Sequence, residues 1–188
     1  MAENKVQFNL KNLHYAVMKT GGESPTWDTP VPIPGAVNLA LEQQGEITKF
    51  YADGMIYYQC ASNNGYEGDL EVARFPDQMM QDIWKMIKVQ TDNVIIENAN
   101  EEPAAFALLF QIDGDAEERY GVLYNCSATR PGVGSKTLEG TKEPQTQSTT
   151  VSAVPLANGS VKACTCADTP AEVKAEWFKK VYEPKKAA

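Results

Sequence analysis

The chain has 188 residues, 43% of them hydrophobic and 22% charged, which allows one β-rich domain with a sizeable core. Acids outnumber bases 25 to 17, for a formal net charge of -8. That balance argues against a protein that grips nucleic-acid phosphates, though it suits a wall past which nucleic acid slides; solubility is its plainer use. Residues 1–5 lead directly into Val6 to Leu10 without an apolar signal core, and the longest strongly apolar stretch, 104–110, is too short to span a bilayer. The chain is therefore expected to fold in a cytosol and to keep Cys60, Cys126, Cys164 and Cys166 as thiols.

Taken in chain order, period-two alternation recurs too often for a helical protein. An opening strand is predicted over 6–18, interrupted near Lys11-Asn12. Residues 19–36 carry Gly21-Gly22 and four prolines (Pro25, Pro30, Pro32, Pro34), a composition that predicts a long extended loop or arm. A strand over 36–41 follows, then a hairpin in which 46–51 and 55–60 flank Asp53-Gly54, a pair suited to the positive φ angles of a tight turn. After a turn-rich loop around Asn63-Asn64-Gly65, residues 69–75 alternate again and place Leu70 and Val72 on one face.

Pro76 and Asp77 suit a helix start, and Met79, Ile83, Met86 and Ile87, widened by Met80 and Trp84, form an apolar stripe; a helix over 76–87 is predicted to cover an open side of the sheet. The strongest strand pair spans 104–112 and 119–127 around Asp113-Gly114-Asp115. Its first strand is apolar on both faces, with Phe106, Leu108, Phe110 and Ile112 on one and Ala105, Ala107 and Leu109 on the other. Such a strand is buried twice, inside the domain or against a neighbouring subunit. Residues 130–145 form a second long loop. The strand over 145–154 is unusually polar, as expected at a sheet edge or along a wet surface, and Asn158-Gly159 predicts its pairing with 160–167. Thr169 and Pro170 open a last helix, over about 170–182, with Trp177, Phe178 and Val181 to bury.

The inventory for catalysis is thin. His14 is the sole histidine and lies at an apolar alternation point, which favours packing over a triad. Gly132-Val133-Gly134-Ser135 lacks the strand-loop-helix setting of a phosphate loop. Cys164-Thr165-Cys166 places two thiols on one strand face, where a zinc site would need two further ligands from Cys60, Cys126 or His14; small buried thiols are the default reading. Glu101-Glu102 and Glu117-Glu118 sit in or beside turns, and positive charge gathers at Lys179, Lys180, Lys185 and Lys186 without an aromatic-interleaved strip. No enzyme, metal site or cofactor is expected. Two long loops, a polar strand and a doubly apolar strand are what a β-sandwich needs if it contacts neighbours on several sides.

In order and spacing, several segments resemble the major tail proteins of long-tailed, non-contractile bacteriophages of Gram-positive hosts. They are Phe8-Asn9-Leu10-Lys11-Asn12-Leu13-His14-Tyr15-Ala16, Pro30-Val31-Pro32-Ile33-Pro34-Gly35, Tyr51-Ala52-Asp53-Gly54, Gly65-Tyr66-Glu67-Gly68-Asp69-Leu70-Glu71, Phe75-Pro76, Arg119-Tyr120-Gly121 and Thr137-Leu138-Glu139-Gly140. The resemblance runs over most of the chain and implies a single tail tube domain over 1–188. The implied fold is mainly β, a two-sheet β-sandwich or half-open barrel with one flanking helix and a short C-terminal helix. It further implies a structural virion protein without catalytic residues. Six copies would close into rings, and stacked rings would form the tail tube that delivers DNA.

The implied partners are other copies of the chain, the tape measure, tail-tip and terminator proteins, and double-stranded DNA passing without specific binding. The implied place is the virion tail, assembled in the host bacterial cytoplasm, with no membrane contact. A ring of six would carry roughly -48 by formal charge. Glu46, Glu67, Asp69 and Glu71 are expected among the acids facing the lumen. The loops 19–36 and 130–145, with Trp27, Pro30, Pro32, Pro34 and Leu138, are expected at subunit contacts. Two other readings remain open at this point: a tube subunit of a related bacteriocin or secretion machine, and a monomeric β-sandwich binding module.

Overall fold

The computed structural model describes residues 4–19, 25–138, 140 and 142–184. Nine strands join one antiparallel sheet: β1 (Gln7–Lys19), β2 (Thr26–Trp27), β3 (Val31–Pro32), β4 (Ala36–Gln44), β7 (Gly65–Val72), β10 (Phe106–Gly114), β11 (Glu118–Ala128), β12 (Gln147–Ala153) and β13 (Lys162–Cys164). Their order is β2-β1-β10-β11-β12-β7-β4, with β3 also beside β1 and β13 also beside β11. Two separate ribbons stand apart from this sheet, β5 (Ile47–Ala52) with β6 (Met55–Ala61) and β8 (Ile87–Val89) with β9 (Val94–Ile96). The helices are α1 (Asp77–Asp82) and α2 (Ala171–Glu176). The fold is mainly β, as the alternation predicts.

The sheet curls because its inward side chains share one core. Leu13 and Tyr15 of β1, Phe106 and Leu108 of β10, Leu123 and Cys126 of β11, Val151 of β12 and Leu70 and Val72 of β7 all meet there, with Leu39 and Leu41 of β4 packed against them. The outer strands β1 and β4 consequently approach one another, and the segment between β3 and β4 ties them. Ile33 N–H donates to Leu13 O (2.7 Å), and Ala73 N–H donates to Gly35 O (2.7 Å). The result is a half-open barrel. Phe75, Met79, Ile83 and Trp84 pack into its core from α1 and its flanks. Burying each of these large side chains contributes about 1.5–3 kcal/mol.

β10 is apolar on both faces because both are buried within its own chain. Phe106 and Leu108 face the barrel core, while Ala107 and Leu109 face a second cluster with Ala16, Val122, Tyr124, Trp177 and Val181. The C-terminal segment supplies the cover there, and Trp177 Nε1–H donates to Gly121 O (3.3 Å).

Several elements depart from the sequence expectations. The predicted arm at 19–36 folds back along β1 wherever it is described, through β2 and β3. Prolines alternate with Val31 and Ile33, so residues that can donate face β1 while proline, which has no N–H, occupies the intervening positions of an edge strand. Its Gly21-Gly22 lies outside the described residues. The interruption in β1 consists of two register shifts against β10, at Asn9 and Asn12, which take φ of 62° and 51°; asparagine tolerates this left-handed region better than most residues. The helix predicted over 76–87 stops at Asp82. Lys85 turns left-handed (φ 55°) and Met86 N–H closes the turn onto Met80 O, so Ile83 and Trp84 are buried beyond the helix and Ile87 begins a strand.

The polar strand β12 is not an edge but lies between β11 and β7. One of its faces is buried through Thr149, Val151 and Ala153, and the hydroxyls of Ser148, Thr150 and Ser152 occupy the other. β13 pairs with β11 and not with β12, because β12 and β13 lie end to end along the same side of β11. The last helix is shorter than predicted. Thr169 does not cap it: its Oγ1 accepts from Cys166 N–H (2.9 Å).

Candidate assembly surfaces

A tight turn at Asp53-Gly54 (φ 52° and 76°) joins β5 to β6, as Asp-Gly pairs do in two-residue hairpins. This ribbon continues the β4–β7 pair outward. Asn64 N–H donates to Gln44 O (2.8 Å), Ser62 N–H to Glu46 O (2.9 Å), and Glu46 N–H to Ser62 Oγ (2.9 Å). Residues 36–72 thus form one long hairpin whose inner half belongs to the barrel and whose outer half projects. The outer half is apolar on both faces: Ile47, Phe50, Tyr51, Met55, Ile56, Tyr57 and Tyr58 are 46–71% exposed. None of them belongs to either core cluster. A lone two-stranded ribbon is marginal in water, and a contiguous patch of this kind marks an interaction surface.

These residues were not singled out as contacts by the sequence reading, although the signal was present. Phe50-Tyr51 and Ile56-Tyr57-Tyr58 break the polar–apolar alternation that a half-buried strand keeps. The β8–β9 ribbon was missed altogether. Its cross-strand pairs Ile87–Ile96 and Val89–Val94 share one face, and Ile87, Val94 and Ile96 are half exposed.

The expected lumen acids divide. Glu67, Asp69 and Glu71 line the outward face of β7, opposite Ser152, Thr150 and Ser148 of β12 on one side. On the other side they face Glu42, Ala40 and Asn38 of β4. Thr150 Oγ1–H donates to Asp69 Oδ1 (3.1 Å), and the Thr146 hydroxyl donates to Glu71 Oε1. Among the described residues, no lysine or arginine forms an ion pair with Glu42, Glu67, Asp69 or Glu71. This is a sheet face of carboxylates and hydroxyls, held in register by its ladder. Glu46 lies apart from it, exposed at the junction of β4 and β5.

The expected contact residues also divide. Trp27 is half-buried against its own chain, with Nε1–H donating to Tyr124 O (3.0 Å) and its ring 5.8 Å from that of Tyr124. Pro30 is buried, whereas Pro32, Pro34 and Leu138 are exposed.

Groups that could carry chemistry are dispersed. His14 stacks on Phe178 at 4.7 Å and its Nδ1 lies 2.9 Å from Asn12 O, a packing role. Only Cys126 of the four thiols is buried, contrary to the default expectation, and burial pushes its thiol up to about 12. Cys60, Cys164 and Cys166 are exposed and free. No cluster of three or more metal-ligating side chains occurs among the described residues, and none of their helices is long and apolar enough to cross a membrane.

The densest polar network joins the N-terminal segment to the β10–β11 turn. Asn4 Oδ1 accepts from Ala116 and Glu117 N–H (2.9 and 2.8 Å), and Asp115 Oδ1 accepts from Lys5 N–H (2.7 Å). Lys11 Nζ lies 2.9 Å from Asp113 Oδ1 and 3.2 Å from Glu118 Oε1. Lys11, with Asn9, holds the Asp113 carboxyl below its usual range, and the Lys5 N–H does the same for Asp115. Tyr120 O–H and then Lys11 depress Glu118. The network fastens a turn and assembles no reaction site.

No protein-family model matches the sequence, and no curated protein sequence does. Among solved structures, the chain is similar to one in the 6-fold symmetrised baseplate of the anti-feeding prophage, at 9% identity and a TM-score of 0.48, covering 89% of this chain and 99% of that one. A chain of the extended sheath-tube complex of an extracellular contractile injection system matches at 10% identity and a TM-score of 0.45, over 83% of this chain and 89% of that one. A chain of the anti-feeding prophage's tube-terminating cap matches at 14% identity and 0.44, over 88% and 97%.

Proposed function

We propose that this protein is a structural subunit of a tail tube, built to polymerise with copies of itself in the virion of a long-tailed bacteriophage. The observation that carries this reading is the outer half of the 36–72 hairpin. It projects from a completed barrel core, is apolar on both faces, and needs a neighbour to cover it. A binding module would gather its exposed apolar side chains in a concave pocket; here they stand on a projection. The acid and hydroxyl face of β7 and β12 supports the second half of the reading. Turned inward in a closed ring, Glu42, Glu67, Asp69 and Glu71 would line a channel that repels DNA phosphates and leaves them no cation to grip. Stacked hexameric rings, a non-contractile tail, and contact with tape measure, tail-tip and terminator proteins are the finer parts of the proposal, and they rest on the sequence resemblance. Pro32, Pro34 and Leu138 remain contact candidates within it, with Trp27 and Pro30 bracing the segment from inside.

Sedimentation velocity across a concentration series tests the assembly claim. The wild-type chain is expected to associate as concentration rises, and a Tyr57→Asp/Tyr58→Asp variant, folded by far-UV circular dichroism, to stay monomeric. Equal association of both proteins would remove the hairpin from the account.

A further inference from the structure

The projecting hairpin needs a receiving surface, and the β8–β9 ribbon has the properties of one. Among the described residues, these are the two ribbons outside the main sheet, and on each of them three or more large apolar side chains are exposed together. Other exposed apolar residues, such as Val37, Val133, Leu138 and Val154, are scattered. The ribbon is rooted firmly at its base. Ala104 N–H donates to Ile83 O (2.7 Å), and Arg130 Nη2–H donates to Asn98 O (3.1 Å) and Glu101 O (2.8 Å). Arg130 Nε stands 3.1 Å from Glu97 Oε1. Its open face, in contrast, carries the two aliphatic cross-strand pairs Ile87–Ile96 and Val89–Val94 without any core contact. The hairpin offers the complementary chemistry, with Phe50 directly opposite Tyr58. Aromatic rings over β-branched side chains are among the favoured contacts of sheet faces.

The contact is a small one on the receiving side, where Ile87, Val94 and Ile96 are each about half exposed. The four exposed rings of the hairpin present roughly 500 Å². These rings, with Ile47, Met55 and Ile56, are divided between the two faces of the hairpin. Docking one face on the ribbon therefore buries less than the ~800 Å² per partner of a standard interface, and the contact gains its strength by repetition in every subunit.

We propose that the outer hairpin of one copy docks on the β8–β9 ribbon of a second copy, the ribbon forming the aliphatic part of the receiving surface. The proposal rests on the self-assembly reading above and specifies its geometry. Because donor and receiver are different surfaces of one chain, the contact is heterologous and propagates into rings or filaments instead of stopping at a symmetric dimer.

Cross-complementation tests it. A donor-deficient chain carries Tyr57→Asp/Tyr58→Asp. A receiver-deficient chain carries Ile87→Lys/Ile96→Glu, whose opposite charges preserve the cross-strand pair while making the face polar. All substitutions lie outside both core clusters, and unchanged far-UV circular dichroism and thermal midpoint verify folding. Each chain alone is expected to remain monomeric in sedimentation velocity, its self-association weakened at least ~100-fold. Mixed, they are expected to form a 1:1 heterodimer that grows no further, since one intact donor meets one intact receiver. A receiver-deficient chain that polymerises like wild type would overturn the pairing, by placing the receiver elsewhere or showing hairpin-on-hairpin contact. Two monomeric chains that ignore each other would overturn it too. Wild-type chain that never associates would instead refute the assembly reading itself.

Discussion

Truncating one large aromatic side chain at each of two places separates folding from assembly. Trp84 is fully buried, meets Phe75 edge-on at 5.2 Å between ring centroids, and donates its indole N–H to Ala128 O (3.2 Å) and Thr129 O (2.9 Å). Trp84→Ala removes the packing, opens a cavity and takes the indole hydrogen bond from both carbonyls, although Thr129 O keeps the Thr149 hydroxyl, at a cost of about 4 kcal/mol. With a urea slope of about 2 kcal/mol per molar, the unfolding midpoint falls by roughly 2 M. Tyr57 is 71% exposed, and its aromatic neighbour is Phe50, edge-on at 6.5 Å. Tyr57→Ala therefore shifts the monomer by less than ~1 kcal/mol, below ~0.5 M in midpoint. Its effect falls on association, where loss of a central aromatic anchor costs about 2 kcal/mol or more, some 30-fold in affinity. Urea unfolding at monomer concentrations and sedimentation velocity at high concentration read the two quantities separately. A Tyr57→Ala loss in the monomer as large as that of Trp84→Ala would show that the hairpin packs on its own core, and the reasoning would fail.

Three other outcomes follow from the structure. A Cβ at Gly68 would stand 2.0 Å from Ala40 O, so Gly68→Ala is expected to push β4 off β7 and lower stability by about 1–3 kcal/mol, measurable by urea unfolding. Native protein should take up three thiol-reactive labels quickly, at Cys60, Cys164 and Cys166, and a fourth at Cys126 only in denaturant, as intact-mass spectrometry would record. Asp113, Asp115 and Glu118 have carboxyls depressed in the folded state, so the stabilisation they provide is present above the ordinary carboxylate range and is lost as pH falls through their lowered values. Hydrogen-exchange protection factors at residues 5–6 and 114–117, corrected for the intrinsic pH dependence of exchange, should fall on that acid side before those of the β10 and β11 cores.

Much of the barrel was legible because short-range rules govern it. The alternation in 106–110 and 120–124, the Asp53-Gly54 turn and the Leu70/Val72 face each depend on neighbours in sequence, and each stands where expected. Beyond Tyr124 a register shift against β10 turns Cys126 from the face it was expected to share with Val122 and Tyr124 into the barrel core beside Leu123. What pairs with what was less legible. β12 was expected at an edge or along a wet surface because its hydroxyls carry no burial signal. It is not an edge, since Thr149 and Val151 anchor it in the sheet interior, but its hydroxyls do belong to an outward face shared with Glu67, Asp69 and Glu71. The helix after Pro76 was overextended because Ile83 and Trp84 continue an apolar stripe, while the chain reversal that follows the helix end at Asp82 is made by Lys85 in the left-handed region, a place where glycine is the usual marker. Of the expected lumen acids, the period-two set on β7 came together, and Glu46, beyond a strand junction, did not join it. The exposed apolar hairpin escaped because contacts were expected on the loops 19–36 and 130–145 and on the doubly apolar strand now seen buried within its own chain, whereas the unpartnered residues lie on β5 and β6.

Negative-stain electron microscopy of the purified chain over a concentration series tests the central claim most directly. The account predicts rings or hollow tubes with a central channel at high concentration, and only subunit-sized particles for the Tyr57→Asp/Tyr58→Asp variant. Wild-type protein that remains a uniform population of subunit-sized particles at every concentration would contradict it.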